Sequence, residues 1–297
     1  MKKKTKTNTI IAATAIASGC LATYYYVKKH IICKEEEVLI DSNRKSKIHA
    51  RIVVPQILGS FPLVMFFHGF GNDSELNGLF GELAIKLGKI GIGSIRLDFA
   101  GCGQSEESYV NNCLHNDLSD IDACYKYMLK NYRIDQKRLC LIGHSLGGRR
   151  AIIYSSYRKE FNNMVLLAPN AMAKFEMMED FFGTTKELDS YKQIAEKEGF
   201  VKCHDRKLSL DFFNDMEKYD PLEAISEFEG NILYFQGNND NIVKPEISGV
   251  VTQHLSEKVK LNYVYLDEVD HSFDIKEKGV TYQNIIKSIF DFVERNV

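Results

Sequence analysis

Short apolar runs alternate with amphipathic stretches along most of this chain. Eight runs predict strands, at Val38–Ile40, Ile48–Val54, Leu63–Phe67, Ser94–Leu97, Leu139–Ile142, Met164–Leu167, Ile232–Phe235 and Leu261–Leu266. Apolar residues at helical spacing predict helices over Glu75–Leu87, Asp117–Leu129, Leu146–Ser156, Glu246–Leu255 and Thr281–Val293. Strands and helices that alternate in this way form a mostly parallel sheet covered by crossover helices, here after an antiparallel opening pair.

One connection between predicted strands is unusually long. About sixty residues, 170–229, separate the sixth predicted strand from the seventh, far more than the usual link between a helix and a strand. The segment is rich in aromatic residues and methionine, which suit the wall of an apolar pocket. We predict a lid over the strand ends; a pair of ordinary packing helices is the alternative.

The N-terminal segment from Ile10 to Val27 carries no charged residue. As a helix it is long enough to cross most of a hydrocarbon core about 30 Å thick. Lysines flank it on both sides, and three tyrosines stand before Lys28 and Lys29 like an interfacial belt. We therefore predict a single-pass membrane anchor within residues 1–34, followed by a folded domain over residues 35–297.

Other interpretations of this segment stay open. The early lysines and the small residues Ala17-Ser18-Gly19 also fit a cleaved secretory signal. Ala17-Ser18-Gly19-Cys20 loosely resembles the lipobox of bacterial lipid-anchored proteins. The slight excess of lysines before the segment favours an N-terminus inside and a folded domain outside the cytoplasm.

Charge and cysteine content exclude several classes of protein. Residues 1–34 hold seven lysines and no acid, which leaves 31 basic against 40 acidic side chains in the rest of the chain. An acidic body of this kind is a poor nucleic-acid binder. The seven cysteines are an odd number without CxxC spacing, which argues against a disulfide framework and against a zinc site. We expect no metal and no cofactor.

A serine between glycines follows the predicted strand Leu139–Ile142. The stretch is Gly143-His144-Ser145-Leu146-Gly147-Gly148, and a predicted helix continues from it. A serine on a tight strand-to-helix turn needs small neighbours, because strand and helix approach closely there, and its hydroxyl is exposed above the sheet. The pattern predicts Ser145 as a catalytic nucleophile.

Partners for such a nucleophile follow other predicted strands. Asp240 and His271 come after the seventh and eighth strands, so we predict His271 as the general base and Asp240 as the acid that orients it. His68-Gly69-Phe70-Gly71 closes the third strand. We expect the backbone N–H groups of Phe70 and Leu146 to form the oxyanion hole.

Each assignment has an alternative. Asp270, next to His271, is a second possible acid, although adjacent residues rarely face each other productively. His68 and His144 are interpreted as structural histidines, because the elbow and the oxyanion loop use their backbones. The glycine-rich turn over residues 98–105 is predicted to brace the oxyanion loop.

These motifs together resemble the α/β-hydrolase superfamily. HGFG at 68–71, DFAGCGQS at 98–105, GHSLGG at 143–148, FEGNILYFQGNNDNIV at 228–243 and DHSF at 270–273 carry the likeness. Within the superfamily the pattern is most similar to bacterial cinnamoyl or feruloyl esterases, monoacylglycerol lipases and S33 peptidases. The resemblance implies an eight-stranded, mostly parallel sheet and a lid after the sixth strand.

The leading hypothesis is a membrane-anchored serine carboxylester hydrolase that acts on a small ester with an apolar acyl or aryl group. Peptidase, thioesterase and acyltransferase activities use the same machinery. A hypothesis of another class is a membrane-tethered binding protein that keeps the fold without catalysis.

Overall fold

The computed structural model describes residues 31–172 and 185–297. The apolar segment Ile10–Val27 of the predicted membrane anchor lies outside these residues, as does the part of the predicted lid at 173–184, and both stay predictions. Among the residues described, no helix combines the length and the apolar character needed to cross a bilayer.

Eight strands form one sheet. They are β1 (Cys33–Asp41), β2 (Lys47–Pro55), β3 (Phe61–Phe67), β4 (Gly93–Leu97), β5 (Ile134–His144), β6 (Asn163–Leu167), β9 (Gly230–Gly237) and β10 (Val259–Leu266), and two further short strands, β7 (Val201–Cys203) and β8 (Arg206–Leu208), pair with each other. The spatial order in the large sheet is β1-β2-β4-β3-β5-β6-β9-β10. β2 pairs antiparallel with β1 and β4, and the later pairings are parallel. The predicted eight-stranded, mostly parallel sheet is confirmed.

The central strands are continuous apolar runs because helices cover both of their faces. Every residue of β3, β4 and β6 is buried. The helices are α1 (Leu79–Gly88), α2 (Leu114–Asn131), α3 (Leu146–Tyr157), α4 (Thr185–Glu198), α5 (Leu210–Lys218), α6 (Pro221–Ser226), α7 (Pro245–Gln253) and α8 (Val280–Asn296). Five of them, α1, α2, α3, α7 and α8, lie where the hydrophobic pattern predicts helices.

The segment between β6 and β9 contains α4, the β7–β8 hairpin, α5 and α6. Local signals start its last two helices: the Ser209 hydroxyl accepts a hydrogen bond from the N–H of Phe212, and Asp220 caps α6 ahead of a proline at its first position. Phe212 and Phe213 are buried. This part of the predicted lid therefore packs on the body through aromatic side chains.

Candidate active site

Ser145 occupies a strained turn between β5 and α3. Its backbone angles are φ 54° and ψ −120°, a region that non-glycine residues avoid. Such strain costs about 1–3 kcal/mol and persists where the surroundings enforce it. A Cβ on Gly147 would lie 1.9 Å from the carbonyl oxygen of Phe67, and one on Gly143 would lie 2.3 Å from that of Gly147. Only glycine fits at these two positions.

Backbone hydrogen bonds hold this turn. The N–H of Ser145 donates to the Leu167 carbonyl at 2.9 Å, and the Ser145 carbonyl accepts from the N–H groups of Asn170 and Gly148, both at 2.9 Å. Leu146 is the first residue of α3, and the first N–H groups of a helix have no acceptor within it. The Leu146 N–H is thus placed beside Ser145 at the positive end of the helix dipole.

Asp240 and His271 meet at the carboxyl ends of β9 and β10. His271 Nδ1 lies 2.7 Å from Asp240 Oδ2. The other carboxylate oxygen, Oδ1, accepts hydrogen bonds from the N–H groups of Ile242 at 2.9 Å and Val243 at 2.8 Å. The Asp240 side chain is completely buried, whereas that of His271 is 17% exposed. A fixed carboxylate thus orients an imidazole whose other edge is accessible.

Asp270, the alternative acid, has a different partner. Its Oδ1 accepts from the backbone N–H of Ser272 at 2.8 Å and from the Ser272 hydroxyl at 2.6 Å. Asp270 is exposed. The contact to the His271 ring is therefore made by Asp240.

The loop after β3 approaches Ser145 closely. A Cβ on Gly69 would lie 3.1 Å from the Ser145 Cβ, so the backbone of this loop passes directly over the nucleophile candidate. Phe70 follows Gly69, and its ring contacts Tyr109 and Phe212 edge to face. The backbone N–H of Phe70 stays the predicted oxyanion donor of this loop.

His68 holds this loop with its ring. Nδ1 lies 2.8 Å from the Gly69 carbonyl oxygen, and Nε2 accepts the N–H of Phe99 at 3.2 Å. Burial, and then the charge of Arg150, lower the pKa of His68 to about 3. His68 is therefore a neutral ring with Nδ1 as donor, which agrees with the structural role expected from the sequence.

His144 holds the backbone of His271, the predicted base. Its Nε2 donates to the carbonyl oxygen of His271 at 3.0 Å. Burial, and then the nearby His271, lower the pKa of His144 to about 3.

Asp98 braces the oxyanion loop from the neighbouring turn. Its carboxylate accepts from the N–H of Ser74 at 2.7 Å and of Gln104 at 3.0 Å, and His49 Nδ1 lies 2.8 Å away. Burial opposes ionisation of Asp98, but the N–H donors of Gln104 and Ser74 outweigh it and hold the pKa below its usual value. The bracing role predicted for residues 98–105 is seen in these contacts.

Two buried arginines on α3 support the site and were not expected from the sequence. Arg150 pairs with Asp117 at 2.7 Å, donates to the His68 carbonyl at 2.9 Å and lies 3.9 Å above the Phe99 ring. It therefore links the elbow helix to the oxyanion loop. Two adjacent arginines near the start of a helix usually indicate an exposed face. Nothing in the neighbouring sequence shows that Arg149 and Arg150 are buried instead.

Arg149 links the same helix to the segment after β6. Its guanidinium donates to the carbonyl oxygens of Met172, Met216 and Tyr219, each at 2.7 Å. Burial lowers the pKa of Arg149 to about 10, so it stays charged at neutral pH. Helix α5 ends between the last two of these carbonyls, and a cation is favourable at that end of a helix.

Because His68 and His144 are buried as neutral rings, we expect the stability of the fold to depend on pH. Each of His68 and His144 has a pKa of about 3 in the folded state and near 6.5 when unfolded. At pH values between these two, each histidine is protonated only in the unfolded chain, so the free energy of unfolding falls as pH falls. The slope approaches about 1.4 kcal/mol per pH unit for each histidine.

Urea unfolding of His144→Gln between pH 7 and pH 5 tests this effect. We expect the variant to lose less stability on acidification than the wild type, by about 1 kcal/mol per pH unit. His254→Gln, at an exposed position, is the matched control and should follow the wild type. Equal slopes for His144→Gln and the wild type would contradict the expectation.

Two cavities meet at Ser145. An open cleft of about 540 Å³ has a mixed polar and apolar lining, and its walls include Asn72, Asn77, Asn241, His271 and Lys276. A smaller pocket of about 20 Å³ is mostly apolar and is lined by Phe70, Ser145, Leu146, Asn170, Met172, Phe212 and Ile242. The two predicted oxyanion residues thus border the apolar side of Ser145.

A mostly parallel eight-stranded sheet with a strained serine after its fifth strand defines the class of α/β hydrolases. The chain has the α/β-hydrolase fold. The family described as "Serine aminopeptidase, S33" matches residues 61–195. A putative alpha/beta hydrolase of Acanthamoeba polyphaga mimivirus is 22% identical over 236 residues, which are 79% of this chain and 75% of the viral protein.

Solved structures share the fold at low sequence identity. Est1E from Butyrivibrio proteoclasticus, determined with bound ferulic acid, superposes with a TM-score of 0.73 at 20% identity and covers 87% of this chain and 98% of its own. The monoacylglycerol lipase of Paleococcus ferrophilus has a TM-score of 0.64 at 17% identity, with 84% and 99% covered. The chain and these two proteins therefore share one fold.

Proposed function

We propose that this protein is a serine carboxylester hydrolase that acts through an acyl-enzyme on a small ester with an apolar acyl or aryl group. One observation carries the proposal: the His271 ring, fixed by Asp240 at 2.7 Å, lines the same cleft as Ser145 on its strained turn. A nucleophile, a base and an acid that orients the base are the three groups that acyl transfer by serine requires.

The reaction follows from these positions. The Ser145 Oγ attacks the ester carbonyl while His271 Nε2 takes its proton, and the charge that develops on the carbonyl oxygen is stabilised by the N–H groups of Phe70 and Leu146. His271 then protonates the leaving alcohol. Water attacks the acyl-enzyme by the same sequence and releases the acid and free Ser145.

The two cavities suggest which half of the ester lies where. The small apolar pocket beside Phe70 and Leu146 suits the start of an acyl chain, and the open cleft at Asn72, Asn77 and Lys276 suits the departing alcohol. Est1E, whose structure holds ferulic acid, and the Paleococcus ferrophilus monoacylglycerol lipase support an ester substrate by analogy of fold.

Hydrolysis of p-nitrophenyl esters tests the proposal. We expect kcat/KM to be highest for acetate or butyrate and to fall at least tenfold for the octanoate, because the pocket beside Ser145 is small. The matched p-nitroanilides of acetic acid and of alanine distinguish ester from peptide hydrolysis. A preference for the alanine anilide would replace the esterase by an aminopeptidase, the activity named in the family description. No turnover of any substrate would favour the non-catalytic binding protein.

A further inference from the structure

Three side chains of metal-binding type converge outside the candidate active site, where helices α2 and α5 meet. Cys113 directly precedes α2, His115 lies in its first turn, and Asp215 lies on α5, 100 residues further along the chain. The ligand atoms of all three lie within 4.8 Å of one another. One of the residues comes from the segment between β6 and β9, and two come from the body of the sheet domain.

The distances are close to those of a tetrahedral zinc site. Cys113 Sγ lies 3.5 Å from His115 Nδ1, and ordinary Zn–S and Zn–N bonds place two such ligands about 3.5 Å apart. His115 Nδ1 lies 2.8 Å from Asp215 Oδ2, and a metal would separate this pair to about 3.4 Å. A small rotation of either side chain accommodates that change.

The surroundings also suit a cation with one open position. Cys113 and Asp215 are buried, whereas the His115 side chain is 43% exposed, so a water molecule can reach the fourth position. Asn116 Nδ2 donates to Cys113 Sγ at 3.1 Å, an outer contact typical of a thiolate ligand. Burial, and then the Asp117 carboxylate, raise the pKa of the Cys113 thiol.

We propose that Cys113, His115 and Asp215 bind one Zn²⁺ ion. A set of one sulfur, one imidazole nitrogen and one carboxylate oxygen is of the kind that zinc prefers. On binding, the Cys113 thiol loses its proton to solvent, the Sγ–Zn bond forms, and the hydrogen bond between His115 and Asp215 is replaced by two metal bonds. Water supplies the fourth ligand.

The ion would cross-link the segment between β6 and β9 to the rest of the sheet domain. Asp215 is on the same short helix as Phe212, which lines the pocket beside Ser145, and Met216, whose carbonyl accepts from Arg149. The proposed site lies apart from Ser145 and His271, so its effect is on the stability of α5 and not on the chemical step. This inference does not depend on the esterase proposal.

Cobalt substitution tests the site in the full-length protein. After treatment with chelator, we expect Co²⁺ to bind at one equivalent per chain and to give the absorption band of a cobalt–thiolate bond, and Zn²⁺ to displace it. Cys113→Ser should abolish the band. His115→Ala should abolish or shift it and weaken binding at least tenfold. Cys33→Ser and His254→Ala are the matched controls, on β1 and at the end of α7, and should behave as wild type.

Thermal unfolding gives a second readout that does not involve activity. Saturating Zn²⁺ should raise the Tm of the wild type by about 5 °C and leave that of His115→Ala unchanged. His115 is exposed, so we expect His115→Ala to fold, and its Tm without metal checks that point. Absence of a one-to-one complex, or a thiolate band that persists in Cys113→Ser, would overturn the proposal and leave the cluster as a hydrogen-bonded Asp–His pair.

Discussion

Replacement of Ser145 by alanine is expected to lower kcat on p-nitrophenyl butyrate by about 10⁴- to 10⁶-fold, with residual turnover from the oxyanion donors and substrate binding alone. In the proposed mechanism the strained turn presents this hydroxyl, and alanine removes the hydroxyl while keeping a Cβ. The fold should therefore be retained, and relief of strain is not expected because alanine has the same backbone preference.

Steady-state kinetics of the purified variant measure this effect. Ser156→Ala is the matched control: it lies on the same helix, and its hydroxyl donates to the Ile153 carbonyl at 2.8 Å, away from the cleft. The control should keep kcat within about twofold, as a surface substitution does. Retention of more than a tenth of wild-type activity by Ser145→Ala would contradict the assignment of the nucleophile.

Asp240→Asn is expected to lower kcat by about 10⁴-fold with little change in KM. The asparagine oxygen can still accept from the N–H groups of Ile242 and Val243, which hold the carboxylate now. Its NH₂ group would then face His271 Nδ1 and favour the imidazole tautomer that cannot accept the serine proton at Nε2. The side chain at position 240 should therefore keep its place, but His271 could no longer accept the serine proton.

The variant Asp270→Asn distinguishes between Asp240 and Asp270 as the acid that orients His271. Asp270 is bonded to Ser272 and not to the His271 ring, so this variant should lose less than about threefold in kcat. The comparison is made by measuring kcat of Asp240→Asn and Asp270→Asn between pH 6 and pH 9. A larger loss for Asp270→Asn than for Asp240→Asn would reverse the assignment of the acid.

Much of the fold could be predicted because its signals are local. The buried strands are continuous apolar runs, and Gly143 and Gly147 mark a turn whose crowding excludes any side chain. The β7–β8 hairpin was missed because its strands have three residues each, too few to establish an alternating pattern.

The remaining features depend on contacts between distant parts of the chain. Arg149 and Arg150 are expected at a surface by their charge, yet carbonyl oxygens and Asp117 from other elements satisfy them in the interior. Cys113 and Asp215 are a hundred residues apart, and no spacing rule brings them together. The predicted membrane segment involves residues outside those described and stays a prediction.

Ser145 is proposed as the nucleophile of a serine hydrolase. Reaction of the folded protein with a fluorophosphonate probe, followed by peptide mass spectrometry, tests this role most directly. We expect one adduct per chain on the peptide that contains Ser145, slower labelling of Asp240→Asn, and no labelling of Ser145→Ala. An adduct on another residue, or equal labelling of Ser145→Ala, would contradict it.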